Sequence, residues 1–273
     1  MVEIPSDFKY QKTLKRLGIS YLGTHNQSMK MKLSEKAGTL TYCIYLAPHT
    51  SSGYQVCPFS KYCKDFCLSK SGHAMIEEFA GYNKLLMGRI KRTRLFFEDR
   101  ETFMLLLIHE IERFKKQAER RNMEFSVRLN GTSDLNPESF VYKGKNILEI
   151  FPDVQFYDYT KCPNRIQVAM KYPNYDLTFS FDGHNFNDCE KFLKVGGKAS
   201  VVFYDKKMPK KFNGYNVVDG NETDIRYKDT KQAIIGLHYH KTANDYKVIN
   251  NKRTYVKPNT PFVIMPDDDR IEW

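Results

Sequence analysis

The sequence lacks any apolar run close to the roughly 18 residues that a membrane-spanning helix requires. Its first residues, MVEIPSDFKYQKTLKRLG, also lack the apolar core of a secretory signal peptide. We therefore expect a cytoplasmic protein with no membrane partner. In that reducing compartment, clustered cysteines indicate metal binding or catalysis before disulfides.

Acidic residues are outnumbered in this chain. There are 43 Lys and Arg against 32 Asp and Glu, which gives a formal net charge of +11. This excess favours a polyanionic partner, so we expect a nucleic-acid or nucleotide substrate. A basic protein without such a partner is the alternative.

No glycine- or serine-rich linker and no internal repeat divides the 273 residues. We assign residues 1–37 to a basic N-terminal segment, 38–241 to a catalytic domain and 242–273 to an irregular or hairpin-like C-terminal appendage. In the catalytic domain, β-rich runs alternate with helical segments, the pattern of βαβ units and a parallel sheet. The predicted strands lie within the following stretches: GTLTYCIYLAP, MEFSVRLNGTSD, DVQFYDYTK, NYDLTFSFDG, KASVVFYD and QAIIGLHYH.

The catalytic domain also lacks a glycine-rich phosphate fingerprint after any predicted strand, which disfavours an open nucleotide-binding sheet. We therefore predict an α/β fold built as a full or partial (β/α) barrel. Helices are expected between residues 73 and 121, with a break near FFEDRETF, and also within ESFVYKGKNILEIFP, RIQVAMKYP and NFNDCEKFLKVGG.

Polar side chains cluster where these predicted strands end. In parallel α/β folds the active site forms from the loops at the carboxyl ends of the strands. The predicted strand ends include NGTSD (130–134), YDYTK (157–161) and SFDGHN (180–185). We predict the following catalytic residues: Asp134, Asp158, Tyr159, Lys161 and Asp182.

Three of the six cysteines lie in one short loop, VCPFSKYCKDFC, directly after the first predicted strand. Thiolates from Cys57, Cys63 and Cys67 could occupy three corners of a metal site. A structural zinc would take His73 or His49 as its fourth ligand, whereas an iron–sulfur cluster with one open iron needs only the three cysteines. Three free thiols are the alternative.

The helical segment after this loop carries basic residues. Arg89, Lys91, Arg92 and Arg94 could line a face that binds the phosphates of a nucleic acid. An ordinary solvated helix face explains the same pattern equally well.

The order of strand, three-cysteine loop, helix and a strand ending in RLNGTSDL resembles the radical SAM superfamily. The resemblance implies a partial barrel, a [4Fe–4S] cluster on Cys57, Cys63 and Cys67, and S-adenosylmethionine bound near Asn130, Gly131, Thr132 and Asp134. The loop here has the spacing Cys-x5-Cys-x3-Cys, whereas that superfamily usually has Cys-x3-Cys-x2-Cys.

Most of residues 35–240 also resembles a functionally uncharacterised family of phage- and prophage-encoded proteins. The stretches that carry this resemblance are LAPHTSSGYQVCP, RIKRTRLFFEDRE, RLNGTSDL, FPDVQFYDYTK and NGYNVVDGNETDIRY. It implies a phage setting, and therefore the cytoplasm of the host cell, without supplying an activity.

Three functions remain open on the sequence. The first is a radical SAM-like, metal- or iron–sulfur-dependent enzyme that modifies a nucleotide or nucleic-acid base. The second is a TIM-barrel base-exchange enzyme similar to tRNA-guanine transglycosylases, with an Asp nucleophile and structural zinc. The third is a zinc-containing DNA-binding or RNA-binding protein without catalysis.

Overall fold

A computed structural model describes residues 3–273. The helices are α1 (Tyr10–Leu17), α2 (Met29–Lys36), α3 (His73–Phe79), α4 (Lys84–Glu98), α5 (Arg100–Arg120), α6 (Ile147–Ile150), α7 (Ile166–Lys171) and α8 (Phe186–Lys194). The strands of the first two thirds are β1 (Gly23–Thr24), β2 (Thr39–Ile44), β3 (Glu124–Arg128), β4 (Val141–Tyr142), β5 (Lys145–Asn146), β6 (Gln155–Thr160) and β7 (Tyr175–Ser180). The remaining strands are β8 (Lys198–Phe203), β9 (Lys211–Phe212), β10 (Tyr215–Asp219), β11 (Ile234–His238), β12 (Tyr246–Ile249), β13 (Lys252–Tyr255), β14 (Val263–Ile264) and β15 (Ile271–Glu272).

One large, mostly parallel sheet organises the chain, in the order β1-β2-β3-β6-β7-β8-β11-β10-β9-β15. The seven strands from β2 to β10 in this order are all parallel. The predicted α/β fold with alternating strands and helices is thereby confirmed. Within residues 3–273 the strand pairings run from β1 to β15 and do not join these two ends.

The helical region between residues 73 and 121 begins and ends through local sequence signals. The predicted break falls at Asp99, whose carboxylate accepts a hydrogen bond from the Thr102 amide (3.1 Å) and caps α5. α5 buries apolar residues along its length, including Phe103, Leu107 and Ile111. It packs against β2, β3 and the neighbouring α4.

The stretch ESFVYKGKNILEIFP is mostly not helical, contrary to the prediction. It forms a hairpin of β4 and β5 followed by the single turn α6. Lys143 and Gly144 both have positive φ (48° and 77°), which reverses the chain between the two strands. The apolar spacing suited a helix, but this Lys-Gly turn interrupts it.

The two faces of the sheet differ in polarity because side chains alternate along each strand. One face, packed against helices, presents apolar residues such as Ile44, Val127 and Phe156, all fully buried. The other face presents polar residues at aligned positions of neighbouring strands: Thr41, Ser126, Tyr157, Asp176, Thr178, Lys198 and Ser200. On it, Thr41 and Ser126 share a hydrogen bond of 2.9 Å.

A segment following β10 covers this polar face. Asp224 forms an ion pair with Arg128 of β3, whose guanidinium donates a hydrogen bond to the carboxylate (2.7 Å). The Asp224 amide also donates to Ser34 Oγ of α2 (3.1 Å). Lys198 of β8 donates to the Arg226 carbonyl (2.6 Å). The polar face is therefore partly enclosed by residues from both ends of the sheet.

The segment 242–273, predicted as an appendage, contributes to the large sheet. β14 pairs in parallel with β8, beyond the point where β7 stops pairing with it. β15 pairs with β9, while β12 and β13 form a separate hairpin. No helix within residues 3–273 is both long and apolar enough to span a membrane.

Candidate functional site

The cysteine loop lies across the carboxyl-end rim of the parallel sheet. Cys63 and Phe66 pack against Tyr239 and Phe262, which lie beyond β11 and before β14. The Tyr62 ring lies 4.3 Å from the ring of His184, just beyond β7. The loop leaves β2 and reaches the ends of strands that are distant from it in sequence.

All three loop cysteines are half-buried free thiols. Burial, together with smaller effects of the neighbouring Cys67 and Cys63, raises the pKa of Cys57 to about 12. Burial also raises the pKa of Cys63, whereas the nearby Lys161 ammonium opposes that rise. These effects show that the three thiols and Lys161 share one electrostatic environment.

A three-thiolate metal site fits the donor chemistry of this loop, since Cys57, Cys63 and Cys67 are all present on the rim. Their side chains are not gathered in a ligating arrangement: among residues 3–273, no group of three or more His, Cys, Asp or Glu is placed to hold a metal. His73 is exposed and His49 lies near Lys70 and Lys64. Metal binding at this loop stays a prediction.

The loop after β3 is held together by Asn130, which is 2% exposed. Its side-chain oxygen accepts hydrogen bonds from Ser133 Oγ and the Leu135 amide (2.8 Å each). Its amide groups donate to the carboxylate of Asp158, from the backbone at 2.8 Å and from the side chain at 3.0 Å. The Asn130 side chain thus shapes the loop, and its polar atoms are already engaged.

Asp134 links three segments of the rim. Its carboxylate pairs with Arg165 and accepts hydrogen bonds from Thr160 Oγ1 (2.8 Å) and the Lys161 amide (3.0 Å). Its own amide donates to the carbonyl of Val56 (2.7 Å), the residue that precedes the first loop cysteine. The NGTSD loop therefore fastens the cysteine loop to the end of β6.

Thr132 adds a further attachment between the NGTSD loop and the end of β2. Its hydroxyl donates a hydrogen bond to the Leu46 carbonyl (2.5 Å). The Cys57 thiol lies 3.8 Å from the Thr132 carbonyl oxygen, within reach of a weak hydrogen bond. The predicted cofactor loop and the cysteine loop are therefore in direct contact.

Gly131 makes the close approach between β2 and β3 possible. A Cβ atom at this position would lie 2.7 Å from the Ile44 carbonyl oxygen and 2.8 Å from both Cys43 Sγ and Tyr45 Cδ1. We expect Gly131→Ala to lower the free energy of unfolding by about 1–3 kcal/mol through this overpacking. Urea denaturation followed by circular dichroism measures the loss.

Gly88→Ala is the matched control, because a Cβ there would meet only Arg92 at 3.9 Å. In the interior of α4, that change should stabilise the protein by up to about 1 kcal/mol. Equal stability of Gly131→Ala and the wild type would contradict the close approach.

Two predicted catalytic residues, Asp158 and Tyr159, lie on opposite faces of the sheet, because successive side chains of β6 point to alternate faces. Asp158 points to the helix-covered face, where it is fully buried, and burial raises its pKa to about 7 against the opposing Arg128 charge. Tyr159 points to the polar face, where the Arg128 guanidinium lies 4.8 Å from its ring centre. Tyr159 thus belongs to the polar face beneath the rim, whereas Asp158 supports the loop of Asn130.

Lys161 and Asp182 also lie near the cysteine loop. The Lys161 ammonium donates to Ser180 Oγ at the end of β7 (2.9 Å). Asp182 Oδ1 accepts the amides of His184 and Asn185 (2.9 and 3.1 Å), which fixes the turn. Asp182 also lies near enough to raise the pKa of Cys63.

The four basic residues predicted to bind nucleic acid do not form one surface. Arg89 and Arg92 are 7% and 6% exposed, beneath the rings of Tyr45 and Tyr21 respectively. Lys91 and Arg94 are exposed. Burial lowers the pKa of the Arg89 guanidinium, and the proximity of Cys67 opposes that shift. Arg89 therefore belongs to the surroundings of the cysteine loop.

Sequence reasoning missed the buried ion pair of Arg128 and Asp224 and the neighbouring Arg226, which is 1% exposed. These residues form the charged centre of the polar face, together with Tyr159. No local motif marks them, because Arg128 and Asp224 are 96 positions apart.

Comparison with protein families shows that the family model "Gene product 88" aligns with residues 14–255. The chain belongs to this family. The gene product 88 family is phage-derived, which supports the phage setting expected from the sequence. A comparison with curated proteins finds no match, and neither does a comparison with solved structures.

Proposed function

We propose that this gene product 88 family protein is an iron–sulfur-dependent, radical SAM-like enzyme that modifies a nucleotide or a nucleic-acid base. The observation that carries the proposal is the position of Cys57, Cys63 and Cys67 on the rim of a parallel sheet, beside Lys161 and above a polar face. Rims of this kind are where α/β enzymes bind their substrates.

Cys57, Cys63 and Cys67 would hold the cluster. When bound, a [4Fe–4S] cluster with one open iron supplies one-electron chemistry to S-adenosylmethionine. The chain's own cations support an anionic cluster, since Arg89 lies near Cys67 and Lys161 near Cys63. Burial raises the pKa of Cys63, and the Lys161 charge opposes that rise.

The substrate would lie over the polar face, where the side chains can bind and orient it. Tyr159 and Lys161 face this region, and the ion pair of Arg128 with Asp224 of the covering segment borders it. The NGTSD loop would contact the cofactor or substrate through its backbone and its shape. Its side chains Asn130, Thr132 and Asp134 are already hydrogen-bonded within the protein.

The base-exchange function is less well supported. A carboxylate nucleophile needs to reach the sugar of its substrate, but Asp134 is held by Arg165, Thr160 and the Lys161 amide. Asp158 is fully buried against Asn130. Asp182 lies near Cys63, and its Oδ1 accepts the amides of His184 and Asn185.

Metal analysis of anaerobically purified protein tests the proposal. We expect brown protein with iron and acid-labile sulfide in about equal amounts, as a cubane cluster requires. Calorimetric titration should then detect S-adenosylmethionine binding to the iron-loaded form. Stoichiometric zinc without iron would favour a structural site, and metal-free colourless protein after anaerobic reconstitution would overturn the proposal.

A further inference from the structure

A cavity lies on the same rim, and its lining includes Tyr239, against which the cysteine loop packs. It has a volume of about 480 Å³ and is lined by Tyr204, Asp205, Lys206, His238, Tyr239, His240, Lys241 and Tyr255. This volume lies within the roughly 300–1,000 Å³ typical of ligand pockets. None of these residues belongs to the catalytic or metal-binding sets considered above.

The carboxyl ends of β8 and β11 form the base of this cavity. Tyr204 follows β8 and donates its amide to the Ile264 carbonyl of β14 (2.9 Å). His238 ends β11, and the Tyr239 amide donates to the Phe203 carbonyl (2.8 Å). The base is thus built on hydrogen-bonded strands and is well positioned to hold a ligand.

The β12–β13 hairpin contributes the opposite wall through Tyr255. The hydroxyls of Tyr255 and Tyr204 lie 3.3 Å apart. The hairpin is itself fastened to the region beyond the cysteines, because Arg253 donates to the Phe79 carbonyl (3.0 Å). The C-terminal segment therefore completes a cavity that the parallel strands alone would leave open.

The cavity combines aromatic rings with cations. The Lys241 ammonium lies 4.1 Å from the ring centre of Tyr255, and the Lys257 ammonium lies 4.8 Å from that of Tyr204. In the lining itself, Lys206 and Lys241 outnumber the one carboxylate, Asp205. A ligand with a planar aromatic group and an anionic group could therefore stack on the tyrosine rings and pair with the lysine ammonium groups.

His238 contributes an imidazole ring to the lining of the cavity. Its Nδ1 atom is buried and has no hydrogen-bond partner within the described part of the chain. The rings of His238 and His240 lie 5.7 Å apart. Among the side chains that line the cavity, His238 thus carries a buried polar atom that lacks the partner such groups generally require.

We propose that this cavity binds one nucleotide unit, with its base against the tyrosine rings and its phosphate at Lys206 and Lys241. A free nucleotide and a nucleotide within a single strand share this chemistry, and the test below distinguishes them. The cavity would be the binding site for the substrate of the enzyme proposed above. It rests on that proposed function only for what happens to the bound nucleotide, since the binding itself does not require the reaction.

Titration of metal-free protein with thymidine 5′-monophosphate, inorganic phosphate and a fluorescent oligothymidine strand tests the site. Lys241→Ala should weaken the binding of the mononucleotide about tenfold or more by removing a phosphate contact. Tyr255→Ala should weaken it by a similar factor of about ten through lost stacking, while leaving inorganic phosphate unaffected. Tyr255→Phe should retain binding.

Lys247→Ala is the matched control, because Lys247 is an exposed lysine of the same hairpin that does not line the cavity. Its affinity should stay at the wild-type value. Circular dichroism and thermal unfolding check that each variant is folded. A strand that binds far more tightly than the mononucleotide identifies nucleic acid as the source, and the reverse identifies a free nucleotide.

Equal losses in Lys247→Ala and Lys241→Ala would overturn the nucleotide site. So would a lack of binding of both the mononucleotide and the oligothymidine strand at millimolar concentration. Because metal-free protein is used, the outcome is independent of the cluster. Nucleotide binding by a protein that never incorporates iron would refute only the radical SAM-like reaction.

Discussion

Replacing Cys57, Cys63 and Cys67 together by alanine should abolish iron binding and the brown colour of the anaerobically purified protein. The three thiols are the only cysteines of the rim loop, and a cubane held by three ligands does not survive their removal. Each single variant should also lose most of its iron, since two thiolates leave two irons without protein ligands. Iron and sulfide assays with a visible spectrum measure the loss.

Cys162→Ala provides the control for this series. Cys162 is also half-buried and follows β6, but it lies outside the cysteine loop. Its iron content should equal that of the wild type. Thermal unfolding of each variant separates the loss of a ligand from the loss of the fold. Full iron retention in the folded triple variant would place any cluster elsewhere.

Replacing Glu110 by alanine should cause the largest loss of stability among the changes considered. Glu110 lies within α5 and is fully buried. Its carboxylate accepts hydrogen bonds from the hydroxyls of Tyr10 (2.6 Å) and Tyr42 (2.7 Å) and from the amides of Leu22 (2.9 Å) and Gly23 (2.8 Å). These four contacts join α1, the start of β1 and β2 to one helix.

Alanine at this position would leave four buried donors without an acceptor, and each costs about 1–3 kcal/mol. We therefore expect a loss of at least about 4 kcal/mol in the free energy of unfolding, or roughly 10 °C or more in Tm. Glu119→Ala serves as the control, because Glu119 is an exposed residue of the same helix. A Tm for Glu110→Ala close to that of the control would show that the four contacts contribute little.

The helix around Glu110 was predictable from the local sequence, whereas the hydrogen bonds of Glu110 were not. A helix was predicted after the break near FFEDRETF, and the structure has it as α5, with Phe103, Ile111 and Phe114 buried. Glu110 is buried as well, but nothing near it in sequence reveals its partners, which lie 68 to 100 positions away. Its role as a buried acceptor is a tertiary property.

A turn prevents the helix that was predicted from the spacing of apolar residues before α6. The region from Glu138 to Pro152 has apolar spacing suited to a helix, yet Lys143 and Gly144 adopt positive φ and form a hairpin. A turn of two residues outweighs the apolar pattern because the short strands on either side gain their own hydrogen bonds.

The sequence by itself determined the α/β class, the parallel order of most strands and the position of three cysteines at the end of the first parallel strand. These follow from the alternation of strand and helix and from the direction of each βα unit, both of which are local properties. Only the tertiary structure decided which polar side chains are available at the rim. Asp134 is engaged by Arg165 and Asp158 by Asn130, whereas Lys161 lies beside Cys63. Hydrogen bonds between distant segments determine which of these side chains are engaged. Such bonds cannot be predicted from the spacing of residues along a single segment.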